Sequence, residues 1–326
     1  MKSRILGIND GHGASAAIMD KKVHHVTAGG TGFPFQSIPE VLRLADLTIG
    51  DIDEVRLATV FQGSGPLFFD HLPLLRSRAP KVFAPLDKWF NPKRVAQVRS
   101  LGFDGKVRFV EHHPAHVASA YYSSPWRDNV LALSLDGAGD GFCATVNVGD
   151  DGALRCISKT TSENSLGYIY GIVAELIRMQ PYQVMTSVPN SYAMLKSYIS
   201  TGALAAYDVL NSYIGLDGLR FKKNFSGSIH GVRNLALRDL RDYRPLDIAV
   251  GLQRLTEELM VEWVSRAMEQ TGLGRITAAG GVFLNTRANE RIRVLPGVEG
   301  FFVPSNPGPG DESTSIGAAA LLAPNL

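Results

Sequence analysis

The chain has 326 residues, 45% of them apolar and 20% charged, which suits a globular fold and excludes a disordered or collagen-like chain. Lys and Arg number 33 against 31 Asp and Glu, so the net charge of +2 argues for neither a nucleic-acid nor a membrane partner. Cys143 and Cys156 are the only cysteines. They form no CxxC pair, which speaks against a zinc knuckle or a disulfide framework and points to a reducing, cytoplasmic setting.

The N-terminal residues read as a short strand rather than a leader peptide, and no apolar run approaches the roughly 20 residues that span a bilayer. Arg4–Asn9 is predicted as a buried strand, followed by a glycine-rich turn at Asp10–Gly13 and strands at Ala14–Met19 and Val23–Ala28. Ser37-Ile-Pro-Glu40 has the form of a capping box and starts a helix to about Ala45. Strands follow at Glu54–Val60 and Val107–Val110, then a helix at His116–Tyr122. Between them, residues 60–100, with several prolines, read as an irregular insertion.

A second pass begins at the apolar strand Val130–Leu135, which enters another glycine-rich turn, Asp136-Gly-Ala-Gly-Asp-Gly141. Strands are predicted at Phe142–Val148 and Ala153–Lys159, and a helix at Leu166–Met179. Residues 180–235 carry no clear period. A long amphipathic helix at Asp247–Gln270 precedes short strands at Ile276–Ala279 and Phe301–Val303, and a small-residue helix, Ser313–Leu322, closes the chain.

Each pass therefore runs strand, glycine turn, strand, strand, helix, strand. Two such passes predict an α/β protein of the actin-like ATPase (ASKHA) class. Two ribonuclease-H-like lobes, residues 1–125 and 126–326, would face a central cleft. Backbone amides of the two turns, at Asn9, Gly11 and Gly13 and at Gly137, Gly139 and Asp140, would hold phosphates from opposite sides. In a third loop, Gly280, Gly281, Val282 and Asn285, the glycines allow close approach of a flat ligand such as adenine.

The sharpest cluster is Glu111-His-His-Pro-Ala-His116, which holds three of the eight histidines. His112 and His116 are four apart and share one helix face, a spacing that suits two metal-ligating imidazoles. Asp136, after an apolar strand, and Asp311, before a helix, would complete a set of two nitrogens and two oxygens. Such a set accepts Fe(II) or another divalent metal. His12, inside the first turn, is a candidate acid, base or anion binder.

Taken together, Asn9–Ala16, Glu111–Tyr122 with Ser124-Pro125, Leu133–Gly141, Gly280–Asn289 and Gly310–Ala319 resemble the NodU/CmcH O-carbamoyltransferases. The resemblance runs in order along the whole chain. It implies the actin-like fold, ATP and carbamoyl phosphate as substrates, a carbamoyl-adenylate intermediate, and an iron ion in the transfer site. It further implies His112, His116, Asp136 and Asp311 as metal ligands, His12 as the histidine beside the carbamoyl group, and Gly280–Asn285 as the adenosine loop. The acceptor would be a small-molecule hydroxyl or amine, in antibiotic-type biosynthesis.

The sequence departs from the family at two internal places. The basic segment that follows the third strand in the family reads Thr27-Ala-Gly-Gly-Thr-Gly-Phe-Pro34, without Arg or Lys. The family's KVMGLAPYG reads Gln183-Val-Met-Thr-Ser-Val-Pro-Asn-Ser191. The resemblance also covers only the actin-like domain and not the YrdC-like domain that usually follows it. The expectation is thus a domain that makes carbamoyl-adenylate itself or takes it from a separate YrdC-like protein. A same-fold metal- and ATP-dependent enzyme with altered donor chemistry, a nucleotide-binding non-catalytic subunit, and a tRNA-modifying enzyme are the competing readings. The acidic Asp136-Gly-Ala-Gly-Asp140 turn, where tRNA-modifying relatives carry Ser-Gly-Gly, favours a small-molecule acceptor.

Overall fold

The structure, a computed structural model of the chain, describes residues 3–19, 22–61, 91–178 and 202–321. Ile5–Asn9 (β1), Ser15–Met19 (β2), Val23–Thr27 (β3), Glu54–Ala58 (β4) and Lys106–Val110 (β5) form one sheet in the order β3-β2-β1-β4-β5. Val130–Gly139 (β6), Phe142–Asp150 (β7), Ala153–Thr161 (β8), Arg275–Ala279 (β11) and Gly300–Phe302 (β12) form a second, in the order β12-β11-β6-β7-β8. In each sheet the first three strands make an antiparallel meander and the last two join parallel to the first. The chain thus traces the same ribonuclease-H-like topology twice, which is the actin-like architecture expected from its two passes.

The helices are Ser37–Leu44 (α1), Pro92–Arg99 (α2), His112–Ser123 (α3), Leu166–Arg178 (α4), Tyr207–Asn211 (α5), Val232–Asp239 (α6), Pro245–Thr271 (α7), Thr286–Arg293 (α8) and Thr314–Ala320 (α9). Ile214–Asp217 (β9) and Arg220–Lys223 (β10) form a separate hairpin. No helix among the described residues is long and apolar enough to cross a membrane.

The last helix of each half packs on the sheet of the other. α3 lies on β6, β7 and β11, while α9 lies on β1, β2 and β4, and the two helices touch. Small buried residues line that crossing, among them Ala115 and Ala118 on α3 and Ala318 on α9. Small side chains let helix backbones approach closely, so the N-terminal ends of α3 and α9 are brought together. His112 opens α3, and Asp311 lies on the 3-10 turn that leads into α9. The two sheets keep separate cores. The first centres on Leu6, Ile8, Val55 and Leu57, and the second on Leu131, Leu133, Val264 and Trp263.

Several local expectations change. The capping box at Ser37 does not form: Gln36 precedes the helix, and no side chain caps it. Ser37 is already inside the first turn, and the Pro34 carbonyl accepts from both Ser37 and Ile38 N–H. The second glycine segment is not a turn from Asp136. β6 continues through Gly139, with its pairing to β7 shifted between Leu135 and Gly139, and only Asp140–Gly141 turns. Part of the expected insertion is regular, since α2 occupies 92–99. The closing helix starts at Thr314, after a 3-10 turn over Asp311–Ser313. The Gln183–Ser191 segment lies outside the described residues.

Candidate metal centre

α3 begins as soon as β5 ends, because the Glu111 carbonyl already accepts the Ala115 N–H. One turn of helix then separates His112 from His116 and sets both rings on the same side. Their Nε2 atoms lie 3.1 Å apart. Asp136, on the part of β6 that leaves the ladder, brings Oδ2 to 2.9 Å from His112 Nε2 and 3.4 Å from His116 Nε2. Asp311, on the turn before α9, brings Oδ1 to 3.6 Å and 3.3 Å from the same two atoms. One atom from each of the four residues falls within 4.8 Å of all the others. Two imidazoles at 0% and 6% side-chain exposure thus meet two carboxylates at 15% and 26%. The more exposed Asp311 marks the open side.

The electrostatics follow from this crowding. Burial alone would pull the His116 ring down, but hydrogen bonds and charge from Asp136 and Asp311 outweigh it and push it up to about 9. Burial alone would raise the Asp136 carboxyl, yet the two imidazoles hold it well below the ordinary value of 3.8. His113 points away from the cluster, with Nδ1 2.9 Å from Ser134 Oγ. Burial and the neighbouring His112 and His116 rings drive it down to about 3, so it stays neutral. Two buried imidazoles and two half-buried carboxylates converging within 4.8 Å fit a divalent ion of borderline hardness.

The residues expected around a nucleotide fall into two groups. Most of them build the loops. The Asn9 amide donates to the carbonyls of His12, Gly13 and Asp311 at 2.8, 3.1 and 3.0 Å, so it ties the first glycine loop to the Asp311 turn. Its own oxygen accepts the Gly11 N–H, and Gly13 N–H donates to Gly30. Asp140 is a latch: its carboxylate accepts the N–H groups of Val60, Phe61 and His112 at 2.8 to 3.1 Å. Burial pushes that carboxyl up, against the three amides that hold it down. Gly139 is glycine because any Cβ there would overlap the His112 ring. Gly280 N–H donates to Pro309, and Gly281 N–H to Asp136 Oδ1 at 3.1 Å. Asn285 caps α8 by accepting the Ala288 N–H, and it exchanges two hydrogen bonds with Gln253.

The remaining positions are Gly137, Val282 and His12. A Cβ at Gly137 would meet nothing within 4 Å. Val282 is half-buried on the 3-10 turn Gly281–Leu284, and His12 is exposed at the tip of its loop, paired through its backbone with Thr31.

Sequence reasoning missed Arg94. Buried on α2, it makes two hydrogen bonds to Asp10, at 2.7 and 2.6 Å, and donates to the carbonyls of Ala58 and Thr59. It missed Thr59 too, whose Oγ1 lies 2.9 Å from His112 Nδ1. Neither residue sits in a motif. Their burial and partners come from the fold, so the sequence carried no signal for them.

The family model described as Carbamoyltransferase N-terminus matches residues 87–320, a span that contains all four converging residues. Among curated proteins, the uncharacterized protein sll1178 of Synechocystis is 25% identical over 65% of this chain and 35% of its own length. Nodulation protein NolNO of Sinorhizobium fredii is 24% identical over 68% of this chain and 32% of its own. The chain therefore spans about a third of the length of these two relatives. Among solved structures, full-length HypF in its phosphate- and nucleotide-bound form aligns with a TM-score of 0.60 at 15% identity. It covers 98% of this chain and 55% of HypF, a likeness of fold. By the family match over most of its length, the chain belongs to the carbamoyltransferase N-terminus family.

Proposed function

We propose that this chain catalyses transfer of a carbamoyl group, by way of carbamoyl-adenylate formed from ATP and carbamoyl phosphate, to a hydroxyl or amine of a small molecule. The observation that carries the reading is the convergence of His112, His116, Asp136 and Asp311 in a member of this family. These four would hold the divalent metal, with Fe(II) the ion the resemblance favours. When bound, the ion supplies Lewis acidity at the carbamoyl carbonyl.

That carbonyl is a poor electrophile because its nitrogen donates into it, and adenylation gives it a good leaving group. The acceptor oxygen or nitrogen then bonds to the carbamoyl carbon, the bond to AMP breaks, and AMP departs with the electron pair. His12 would take the acceptor's proton. Its exposed place on the loop that Asn9 ties to the Asp311 turn supports that role. The nucleotide would lie against the open face at Gly137 and beside the Gly280–Val282 turn, whose glycines pack against Leu135 and Asp136, with Asn9, Gly11, Gly13, Gly139, Asp140 and Asn285 shaping the walls.

The second reading is a same-fold enzyme with a different activated donor. It is favoured by the segment at 27–34, exposed over 27–31, which lies along the His12 loop without a basic residue. Anaerobic incubation with Fe(II), ATP and carbamoyl phosphate, followed by mass spectrometry, separates the two. Carbamoyl-adenylate supports the first reading. Its absence, both alone and with a YrdC-like protein added, sinks that reading and leaves the second.

A further inference from the structure

We propose that Thr59 is a positioning residue that aims the His112 ring at the metal centre, an inference that rests on the metal reading above. Thr59 follows β4 with φ 64°, a left-handed conformation that a β-branched residue rarely adopts. Such a conformation persists only where its surroundings impose it. Here they do. Arg94 donates to the Thr59 carbonyl at 2.7 Å and to the Ala58 carbonyl at 2.9 Å, while Asp10 grips the same guanidinium through both carboxylate oxygens. On the other side, the Val60 and Phe61 amides are pinned to Asp140, and Asn91 donates to the Val60 carbonyl at 3.0 Å.

The imposed turn directs Oγ1 to His112 Nδ1 at 2.9 Å. A ligating Nε2 must be bare, which places the ring proton on Nδ1, and the Thr59 oxygen stands where that proton must be accepted. His116 has no such aid: among the described residues its Nδ1 is buried without a partner. The two imidazoles are therefore unequal. His112 is held through its outer nitrogen as well as its Nε2, whereas His116 is held by its Nε2 contacts and the packing of α3. Asp10 also lies in the same loop as Asn9, Gly11 and His12. The chain Asp10–Arg94–Thr59–His112 thus joins the first glycine loop to a metal ligand.

The test uses the full chain, with Co(II) as the probe metal. Thr59→Val removes the hydroxyl at nearly constant volume, Thr59→Ser keeps it, and Thr59→Gly removes it while relieving the left-handed strain. The expected result is Co(II) affinity lowered about 10–100-fold in Thr59→Val and Thr59→Gly, with an altered visible absorption spectrum and near-complete rescue in Thr59→Ser. Thr59→Gly should lose affinity without losing thermal stability, a combination that a purely structural role would not produce. In the metal-free protein, the His112 ring-nitrogen NMR shifts should move in Thr59→Val. Wild-type affinity, spectrum and ring shifts in Thr59→Val and Thr59→Gly would overturn the inference while leaving the metal reading intact. A wild-type protein that binds no Co(II) overturns the metal reading itself. Thr59 is then judged on the ring shifts alone, and unchanged shifts reject it.

Discussion

Gly317 of α9 lies against the backbone carbonyl of Ala115 of α3, so closely that a Cβ at 317 would overlap the oxygen. This contact is where the two halves of the chain cross. It sits one residue before His116 and six after Asp311, so the separation of α3 and α9 sets the spacing of the cluster.

Gly317→Ala should push the helices apart. Overpacking of this kind costs about 1–3 kcal/mol. A loss of thermal stability is expected together with weaker metal binding, because Asp311 moves away from His112 and His116. Unchanged Tm and metal affinity would show that the crossing tolerates the methyl group.

Asp311→Ala and His116→Ala each remove one donor of the proposed metal set. Each should lower divalent-metal affinity at least about 100-fold and carbamoyl transfer with it, since a site of few ligands loses much of its affinity with any one. Equilibrium dialysis with metal analysis, run beside the transfer assay, reads both. Chelation of the wild-type protein should stop transfer, and added Fe(II) should restore it.

Metal binding should depend on pH through His116. In the metal-free protein its value of about 9 stands above the ordinary 6.5. Its contribution to folding stability is therefore fully present below about 6.5 and is lost as pH rises through about 9. Asp136, held well below 3.8, contributes stability that is present above 3.8 and lost in stronger acid. A metal must displace the His116 proton. Between about 6.5 and 9, affinity should rise roughly tenfold per pH unit, with about one proton released per ion bound. Calorimetry in buffers of different ionisation enthalpy measures that proton, and no buffer dependence would refute the assignment.

Asp140→Ala should destabilise the fold, since it leaves the buried amides of Val60 and His112 and the half-buried amide of Phe61 without their acceptor. Each buried group costs about 1–3 kcal/mol, and a total of about 2–6 kcal/mol is expected in urea unfolding. The nucleotide reading of this residue makes the opposite prediction, an intact fold with weakened ATP binding.

Arg94→Met should be among the most damaging single changes. Removing one partner of a buried ion pair costs about 3–5 kcal/mol, and here it takes from Asp10 the guanidinium that holds both its carboxylate oxygens. The double variant Arg94→Met with Asp10→Asn should recover part of that stability.

The sequence by itself determined what depends on near neighbours. Alternation and apolar runs located the strands of both sheets, and the spacing of four put His112 and His116 on one helix face. The repeated order of elements determined the paired topology. The glycine segments were visible as segments, but the purpose of their members was not. Gly139 is required by the ring of His112, and Asp140 binds amides at 60, 61 and 112 rather than serving its own turn. The failed capping box at Ser37 has the same origin, because the Pro34 carbonyl already turns the chain there.

Only the tertiary structure decided which distant residues meet. Asp10 pairs with Arg94 across 84 positions, and Asn9 reaches the Asp311 carbonyl across 302. Composition and periodicity report the environment a residue prefers, apolar or polar, helix or strand. They do not report its partner. A buried charge or a strained threonine becomes interpretable only once the fold has brought the compensating group beside it, as Arg94 stands beside Asp10 and Thr59 beside His112.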